Sequence, residues 1–248
     1  MGLLDGKVAL VLGAGTARNM GQAIASRFAA EGATVMAAGR DAVELARFAA
    51  TIGGASKTCD ITSQADLEVL VAETVDRFGK LDVAVNATGL NHVRPFLEVP
   101  IAELRRVTDV QFIGPFQFLQ AVLRRIADNG SVIQISSVSA TALLPHHAAY
   151  MATKAASDVL VRSVAAEFGT RGVRVNSIAP GPTEDTPMAS AVLADDAVRE
   201  RLRRAIPLGR LGTAGDVADA ALWLASDHSF ITGEVLQING GRALHKLS

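Results

Sequence analysis

Residues 7–21 read KVALVLGAGTARNMG, and this stretch decides the fold. The apolar run Lys7–Leu12 predicts a buried strand that ends at Gly13. Asn19–Glu31 predicts a helix, because apolar residues recur there at steps of four on one face. A strand, a glycine-rich turn and a helix in this order predict the first half of a βαβ unit with a right-handed crossover.

The same alternation of short apolar runs and longer helical segments continues along the chain. It predicts six more strands, at Ala33–Ala38, Ser56–Cys59, Leu81–Asn86, Ser131–Ile135, Val173–Ile178 and Glu234–Ile238. It predicts helices at Asp41–Thr51, Ser63–Phe78, Ile101–Ile126, His147–Phe168 and Thr213–Ala225. Asp41 is the expected N-cap of its helix, and Ser63 with Asp66 resembles a capping box. The pattern indicates an α/β fold: a doubly wound parallel sheet of about seven strands with helices on both faces.

No internal repeat or linker divides the sequence, so we expect residues 1–248 to form a single domain. The stretch Pro180–Arg204 is the least regular, with three prolines followed by an arginine-rich helix. A long, poorly periodic insert near the end of an α/β domain often serves as a lid. We therefore expect a substrate lid at residues 182–206.

Composition excludes several classes of protein. The chain has 24 basic and 25 acidic residues among 248, which argues against a nucleic-acid partner. It has no run of 18 apolar residues, so we expect no membrane partner. Residues 1–7 do not resemble a signal peptide, and we expect a cytoplasmic protein. The one cysteine, Cys59, excludes an intrachain disulfide and a multi-cysteine metal site, and we expect no metal.

The glycine-rich turn points to a dinucleotide. Glycines at a helix N-terminus let backbone N–H groups approach a pyrophosphate. The G-x-G-x-x-G fingerprint is not met, because Arg18 holds its sixth position, and an ordinary βα turn is the alternative. The second strand is followed by Arg40 where an acid would favour NAD(H). A guanidinium suits a 2′-phosphate, so we expect NADP(H), with NAD(H) possible and a merely solvated Arg40 as the alternative.

The only tyrosine has a lysine four residues after it on a predicted helix, so Tyr150 and Lys154 share a face. A nearby ammonium and a cationic nicotinamide ring would lower the pKa of the phenol toward the working range. Ser137 follows the strand Ser131–Ile135, at the sheet edge where ligands bind, and its hydroxyl suits a substrate carbonyl. A buried structural tyrosine is the alternative.

These features together resemble the short-chain dehydrogenase/reductase family over nearly the whole chain. Asp60-Ile61, Asn86-Ala87-Thr88-Gly89 and the stretch Asn176–Gly181 resemble family segments, as do Pro207–Arg210, Ile231–Gly233 and Asn239–Gly241. The resemblance implies a Rossmann-type fold with Ser137, Tyr150, Lys154 and Gln111 as catalytic residues. It implies cofactor contacts from Gly13, Gly15, Arg18, Asn19, Met20, Gly21, Arg40, Asp60, Ile61, Asn86, Thr88, Tyr150, Lys154, Pro180, Gly181 and Thr183.

The sequence departs from the family pattern at several positions. The turn between Gly13 and Gly21 is two residues longer, and Asn19 replaces its middle glycine, where we expect a positive φ. Gln111 replaces the catalytic Asn, which in the family acts through a backbone carbonyl that holds a relay water. Asp185 stands where a Thr is usual, with Thr183 and Thr186 nearby. Related enoyl reductases have longer turns too, but they place the lysine seven residues after the tyrosine, where this chain has Ser157.

The resemblance implies hydride transfer between NADP(H) and a ketone, possibly a 3-oxoacyl compound, or a secondary alcohol. A regulatory or scaffolding homologue with little turnover is the alternative. The loop histidines, His92, His146 and His147, either polarise the substrate or lie at the mouth of the pocket. We expect a homotetramer in which the helix His147–Phe168 pairs across a two-fold axis. The helix Ile101–Ile126 would be its neighbour in that interface, with Phe112, Phe116, Leu119 and Leu123. Coverage of this face by Thr213–Ala225 or Pro180–Arg204 within one chain is the alternative.

Overall fold

A computed structural model describes residues 2–190 and 193–244 of the chain. Within these residues, seven parallel strands form one sheet in the order β3-β2-β1-β4-β5-β6-β7. The strands are β1 (Val8–Leu12), β2 (Thr34–Gly39), β3 (Ala55–Thr58), β4 (Val83–Asn86), β5 (Ser131–Ile135), β6 (Arg174–Pro180) and β7 (Val235–Ile238). The predicted doubly wound parallel sheet is confirmed, and every predicted strand is present with shifts of at most two residues at its ends.

Helices cover both faces of the sheet, as predicted. They are α1 (Met20–Ala30), α2 (Ala42–Thr51), α3 (Gln64–Phe78), α4 (Ile101–Thr108), α5 (Gly114–Leu123), α6 (Ala148–Phe168), α7 (Pro187–Ser190), α8 (Asp196–Arg204) and α9 (Ala214–Ala225). Side chains of β1 alternate between the two cores: Leu10 packs on the side of α3, α5 and α6, whereas Val11 packs on the side of α1, α2 and α9. In the described part of the chain, no helix is long and apolar enough to cross a bilayer.

The predicted helix caps are partly confirmed. The Asp41 carboxylate accepts hydrogen bonds from the backbone N–H groups of Val43 and Glu44, both at 3.0 Å, so it caps α2. The Asp66 N–H donates to the Ser63 hydroxyl oxygen, as a capping box requires. The reciprocal bond differs: the Asp66 carboxylate accepts from the Ser63 hydroxyl and the Asp60 N–H, while the Ser63 N–H donates to the Asp60 carbonyl.

The prediction of one helix over Ile101–Ile126 is wrong in its middle and at its end. A π-helical segment, Asp109–Ile113, separates α4 from α5, and the Gly114 N–H donates to the Asp109 carbonyl five residues back. Pro115 explains the break, because proline has no N–H to continue an α-helical ladder. The helix α5 ends at Leu123 rather than at Ile126.

The surface expected to pair with α6 also needs correction. Leu119 and Leu123 are 2% and 5% exposed, so they belong to the core of the single chain rather than to an interface. They point inward because they share a helix face with Phe118 and Val122, which are fully buried. Phe116 on α5 and Val159 on α6 remain exposed.

The segment 182–206, expected to be a lid, forms a small unit of its own. Its helices are α7 and α8, and Leu193 packs with Ile206 and Leu211 in a separate apolar cluster. Its start is tied to Gly212, whose N–H donates to the Pro182 carbonyl and whose carbonyl accepts from the Glu184 N–H. Residues 191 and 192 of this segment lie outside the described residues.

Candidate active site

A cleft of about 1060 Å³ runs along the carboxyl edge of the sheet. Residues that follow six of the strands line this cleft. They are Gly13 after β1, Arg40 after β2, Asp60 after β3, Thr88 after β4, Ser137 after β5 and Gly181 after β6. Connections leave in opposite directions from β1 and β4, so this edge contains the topological switch point. Open α/β sheets bind their ligands at such a point.

The turn after β1 does not have the expected conformation at Asn19. Asn19 has a φ of −89°, and the residue in the left-handed region is Arg18, with a φ of 56°. Asn19 is extended because it is the N-cap of α1, where its side chain accepts from the Gln22 N–H at 2.9 Å. Its amide group also donates to the Gly13 carbonyl at 2.6 Å, which fixes the base of the turn.

Gln22 also fixes the conformation of this turn, and it was not among the predicted site residues. Its side-chain oxygen accepts from the Arg18 N–H at 3.0 Å. Its amide nitrogen donates to the Ala14 carbonyl at 3.1 Å and to the Glu44 carboxylate at 2.7 Å. The sequence signal for this role of Gln22 was the presence of a polar residue directly after Gly21, on the buried side of α1. The two additional residues of the turn are thus held by two side-chain amides.

The turn fits a dinucleotide phosphate. A Cβ added to Gly13 would lie 2.6 Å from the Ala87 carbonyl carbon, and one added to Gly21 would lie 2.5 Å from the Gly13 oxygen. Among the described residues, the backbone N–H groups of Gly15 and Met20 have no hydrogen-bond acceptor. Both residues line the cleft at the positive N-terminus of α1. Close backbone packing and free N–H donors are what a bound phosphate requires.

Most of the predicted cofactor residues line the cleft, but three do not. The lining ones are Gly13, Gly15, Asn19, Met20, Arg40, Asp60, Ile61, Thr88, Tyr150, Lys154, Pro180, Gly181 and Thr183. Arg18 is exposed outside the cleft, whereas Gly21 and Asn86 are buried behind its surface. Asn86 is buried, and its side-chain oxygen accepts from the Thr88 N–H and hydroxyl, so it orients Thr88. Its amide nitrogen donates to Gln134 on β5 at 2.8 Å.

Lys154 lies beneath the cleft on the first turns of α6. It is 6% exposed, and its Nζ donates to the Ile135 carbonyl at the end of β5 at 2.7 Å. Burial lowers the pKa of Lys154 to about 8, and the nearby Asp158 carboxylate opposes this shift. At neutral pH Lys154 is therefore protonated. Its contacts compensate only part of the cost of removing the ammonium group from water.

Tyr150 lies one helical turn before Lys154 and faces the same cleft. Burial raises the pKa of Tyr150, and a hydrogen bond with Ser137 opposes the rise. The expected lowering by Lys154 does not appear, because the ammonium is directed to the Ile135 carbonyl. The phenol therefore keeps its proton at neutral pH.

Ser137 is positioned by the short helical turn that follows β5. Its hydroxyl lies 2.8 Å from the Ser139 hydroxyl and accepts from the Ser139 N–H at 3.2 Å. Ser137, Ser139 and Tyr150 all line the cleft. The serine hydroxyl and the phenol are thus two O–H groups on one wall, an arrangement that can bind a single carbonyl or hydroxyl oxygen.

A buried carboxylate, Asp158, lies one turn after Lys154 and was also missed. It is 6% exposed and accepts a hydrogen bond from the Ser136 hydroxyl at 2.9 Å. Burial raises the pKa of Asp158, whereas Ser136, Ser177 and Lys154 lower it. The sequence signal for this carboxylate was its position four residues after Lys154, because residues at that spacing share a face of α6.

Gln111 lies in the π-helical segment and does not line the cleft. Its side-chain nitrogen donates to the Thr153 hydroxyl at 3.1 Å, and its side-chain oxygen is buried without a partner among the described residues. The residue four positions later is Pro115, so the Gln111 carbonyl lacks the donor that an α-helix would supply.

The remaining predicted residues take different places. Asp185, with a φ of 63°, directs its carboxylate to the Ala214 N–H at 3.1 Å, while Thr183 and Thr186 line the cleft. Among the histidines, His147 lines the cleft, and its ring packs edge-on against Tyr150 at 6.3 Å. His92 lies 3.0 Å from the Glu103 carboxylate and is not part of the lining.

Comparison with known proteins identifies the family. A family profile described as enoyl-(acyl carrier protein) reductase matches residues 13–243. The chain is 36% identical to 3beta-hydroxysteroid dehydrogenase 1 of Eggerthella lenta, over 98% of this chain and 95% of the relative. It is 35% identical to D-threitol dehydrogenase of Mycolicibacterium smegmatis, over 96% and 93% of the two chains.

A solved structure agrees with these matches. A short-chain type dehydrogenase/reductase from Mycobacterium ulcerans superposes with a TM-score of 0.91 at 31% identity, covering 96% of this chain and 90% of that one. Family membership implies a nicotinamide cofactor, NAD or NADP. The cleft, the glycine turn and the matches over almost the whole sequence lead to one conclusion: the chain belongs to the short-chain dehydrogenase/reductase family of oxidoreductases.

Proposed function

We propose that the protein is an NADP(H)-dependent oxidoreductase that interconverts a ketone, including 3-oxoacyl compounds, and a secondary alcohol. The observation that carries the proposal is that Ser137, Tyr150 and Lys154 share one cleft with the phosphate-binding turn. Hydroxysteroid and threitol dehydrogenases among the relatives support alcohol–carbonyl chemistry.

Each side chain has a role that follows from its chemistry. The Ser137 hydroxyl orients the carbonyl oxygen, and Tyr150, protonated at neutral pH, donates a proton to that oxygen. The nicotinamide supplies the hydride in reduction and accepts it in oxidation. The Lys154 ammonium stabilises the phenolate that forms on Tyr150, because a positive charge nearby favours the charged form of the phenol.

Gln111 completes this arrangement through its backbone. Its carbonyl, left without an α-helical donor by Pro115, holds a water that connects the site to Lys154. The side chain is engaged with Thr153, so the proton path does not depend on the amide group. Replacement of the family's Asn by Gln is therefore compatible with catalysis.

The spacing of the tyrosine and lysine favours carbonyl reduction over enoyl reduction. The matching profile is described as an enoyl reductase. In the enoyl reductases that the sequence analysis considered, however, the lysine is seven residues after the tyrosine. Here that residue is Ser157, buried on α6, while Lys154 is one turn from Tyr150.

Arg40 supports a preference for NADP(H). It lines the cleft directly after β2, where an acid would bind the ribose hydroxyls of NAD(H). The adjacent Asp41 does not offer that acid, because its carboxylate caps α2. A guanidinium at this point binds a 2′-phosphate by charge-assisted hydrogen bonds.

Two further proposals concern the shape of the active protein. Residues 182–206 form a lid over the substrate end, since Met188, Leu193 and Leu202 line the cleft. The protein assembles as a homotetramer, and the exposed Phe116 and Val159 contribute to its interfaces.

Parallel kinetics with NADPH and NADH over a panel of ketones test the function. We expect turnover with a clear preference for NADPH, and reversal of that preference in Arg40→Asp. Arg77→Asp, an exposed site on α3 far from the cleft lining, is the matched control and should keep the wild-type preference. A wild-type preference for NADH would contradict the cofactor assignment, and no turnover with either cofactor would contradict the function.

A further inference from the structure

Two arginines that the proposed reaction does not use line the lid end of the cleft. Arg201 is on α8, within the segment 182–206, and Arg242 follows β7. Arg201 is exposed, whereas Arg242 is half-buried. Arg201 lies in the arginine-rich helix expected in the lid, and neither arginine is among the predicted catalytic or cofactor-binding residues.

Arg242 lies where the carboxyl edge of β6 meets the base of the lid. Its backbone N–H donates to the Asn239 carbonyl, and a Cβ added to Gly181 would lie 3.0 Å from the Asn239 Cα. The preceding residue, Gly241, packs as closely against Pro207, just beyond the lid. Arg242 is therefore at the substrate end, beside the segment that follows β6.

Among the described residues, the guanidinium groups of Arg201 and Arg242 differ from those of neighbouring arginines in having no side-chain partner. Glu200 binds both Arg203 and Arg204 at 2.7 Å, and an equally short ion pair joins Arg210 to Asp216. Within residues 2–190 and 193–244, no side-chain hydrogen bond or ion pair engages Arg201 or Arg242.

In the described lining of the cleft, no carboxylate lies at the end where these arginines are. Its described lining includes two carboxylates, Asp41 and Asp60, which follow β2 and β3 at the opposite end of the sheet edge. Burial lowers the pKa of Arg242, and no carboxylate of the described residues opposes the shift. A half-buried guanidinium without an anion is unfavourable, so an anion supplied from outside would stabilise it.

The phosphates of the cofactor do not account for Arg242. The phosphate-binding turn follows β1, and β7 is four strands away in the sheet. With about 4.8 Å between neighbouring strands, the two positions are about 19 Å apart. The anion that faces Arg242 therefore comes with the substrate rather than with the pyrophosphate.

We propose that Arg242 and Arg201 form an anion subsite that selects carbonyl substrates carrying a terminal oxyanion, a carboxylate or a phosphate. The proposal rests on the proposed function and adds the class of substrate. The apolar side chains Met188, Leu193, Val198 and Leu202 line the same end of the cleft. They fit an aliphatic stem between the reacting carbonyl and the charged group, and arginine binds either oxyanion in a bidentate manner.

Matched pairs of charged and neutral ketones test the proposal. The carboxylate arm compares a series from 4-oxopentanoate to 9-oxodecanoate with the methyl ester of each acid. The phosphate arm compares hydroxyacetone phosphate with hydroxyacetone. We expect the charged member of at least one pair to have a kcat/KM about tenfold or more above its neutral partner, the factor expected of one charge-assisted hydrogen bond. The series that shows this preference tells whether the subsite binds a carboxylate or a phosphate.

Glutamine variants then test the two arginines. Arg242→Gln should raise the KM of the preferred anionic ketone about 10- to 100-fold and leave kcat and the neutral partner nearly unchanged. Arg201→Gln should act in the same direction but less, because this side chain is exposed. Arg204→Gln, on the same helix but paired with Glu200, is the control and should change nothing. If Arg242→Gln raised the KM of charged and neutral ketones equally, the proposed anion subsite would be refuted.

Binding separates this inference from the proposed function. Calorimetric titration of the NADP-loaded protein with the same acids and esters needs no turnover. Arg242-dependent binding of an acid without reduction of any ketone would support the subsite and refute the proposed function. Reduction of neutral ketones as fast as their acids, with no Arg242-dependent binding, would refute the subsite and leave the function standing.

Discussion

Replacing Lys154 with methionine should change how the stability of the cofactor-free protein depends on pH. Lys154 is 6% exposed, and burial lowers its pKa from 10.5 to about 8. Between these values the folded protein holds a neutral amine while the unfolded chain holds an ammonium. The unfolded state then binds more protons, so stability rises with pH across this window.

The magnitude follows from the size of the shift. A pKa lowered from 10.5 to about 8 corresponds to about 3 kcal/mol, at about 1.4 kcal/mol for each pH unit. Below pH 8 the charged Lys154 therefore reduces the stability of the folded protein by about this amount, relative to an unburied lysine. Met in its place keeps a similar shape and does not titrate.

Urea unfolding of both proteins from pH 7 to 10.5, at one protein concentration, measures the effect. The unfolding free energy of the wild type minus that of Lys154→Met should be flat below pH 8. It should then rise by about 3 kcal/mol between pH 8 and 10.5. Groups that do not interact with Lys154 titrate alike in both proteins and cancel in this difference. A difference that stays flat throughout would show that the Lys154 ammonium is not desolvated, and the reasoning about its burial would fail.

Three further results are expected. Gln111→Asn should keep its kcat, because the backbone carbonyl freed by Pro115 survives the change; complete loss in steady-state assays would give the side chain its own role. Asp158→Asn should move the alkaline limb of the pH–rate profile to lower pH, since the carboxylate favours the Lys154 ammonium, and an unmoved limb would contradict this. Light scattering at micromolar concentration should give about four times the 25.8 kDa chain mass, whereas a mass near 25.8 kDa would refute assembly.

The sheet was predictable from sequence because its signals are local. Buried parallel strands such as Ser131–Ile135 are short apolar runs, and this one has the predicted bounds. The break in Ile101–Ile126 was less visible, because apolar periodicity continues through Asp109–Ile113. Pro115 was the sequence signal for the break. A proline near the start of a helix, however, is equally compatible with an uninterrupted first turn.

The residues that line the cleft could be predicted from the sequence, but the hydrogen bonds between their side chains and the neighbouring residues were less predictable. Ser137, Tyr150 and Lys154 follow from strand ends and helical spacing, which place them on one cleft. The contacts of Gln22 and Asp158 are tertiary, so the sequence could mark them only as polar residues on buried helix faces. The conformation of Asn19 was wrong because its role as N-cap outweighed its tolerance of a positive φ.

The most direct test of the account is turnover of Tyr150→Phe beside the wild type. Phenylalanine keeps the ring that packs against His147 and removes the proton donor alone. With NADPH and a ketone that the wild type reduces, we expect kcat to fall about 100- to 10,000-fold. NADPH binding, followed by nucleotide fluorescence, should stay near that of the wild type. A near-wild-type kcat in Tyr150→Phe would contradict the assignment of Tyr150 as the acid and, with it, the proposed chemistry of the site.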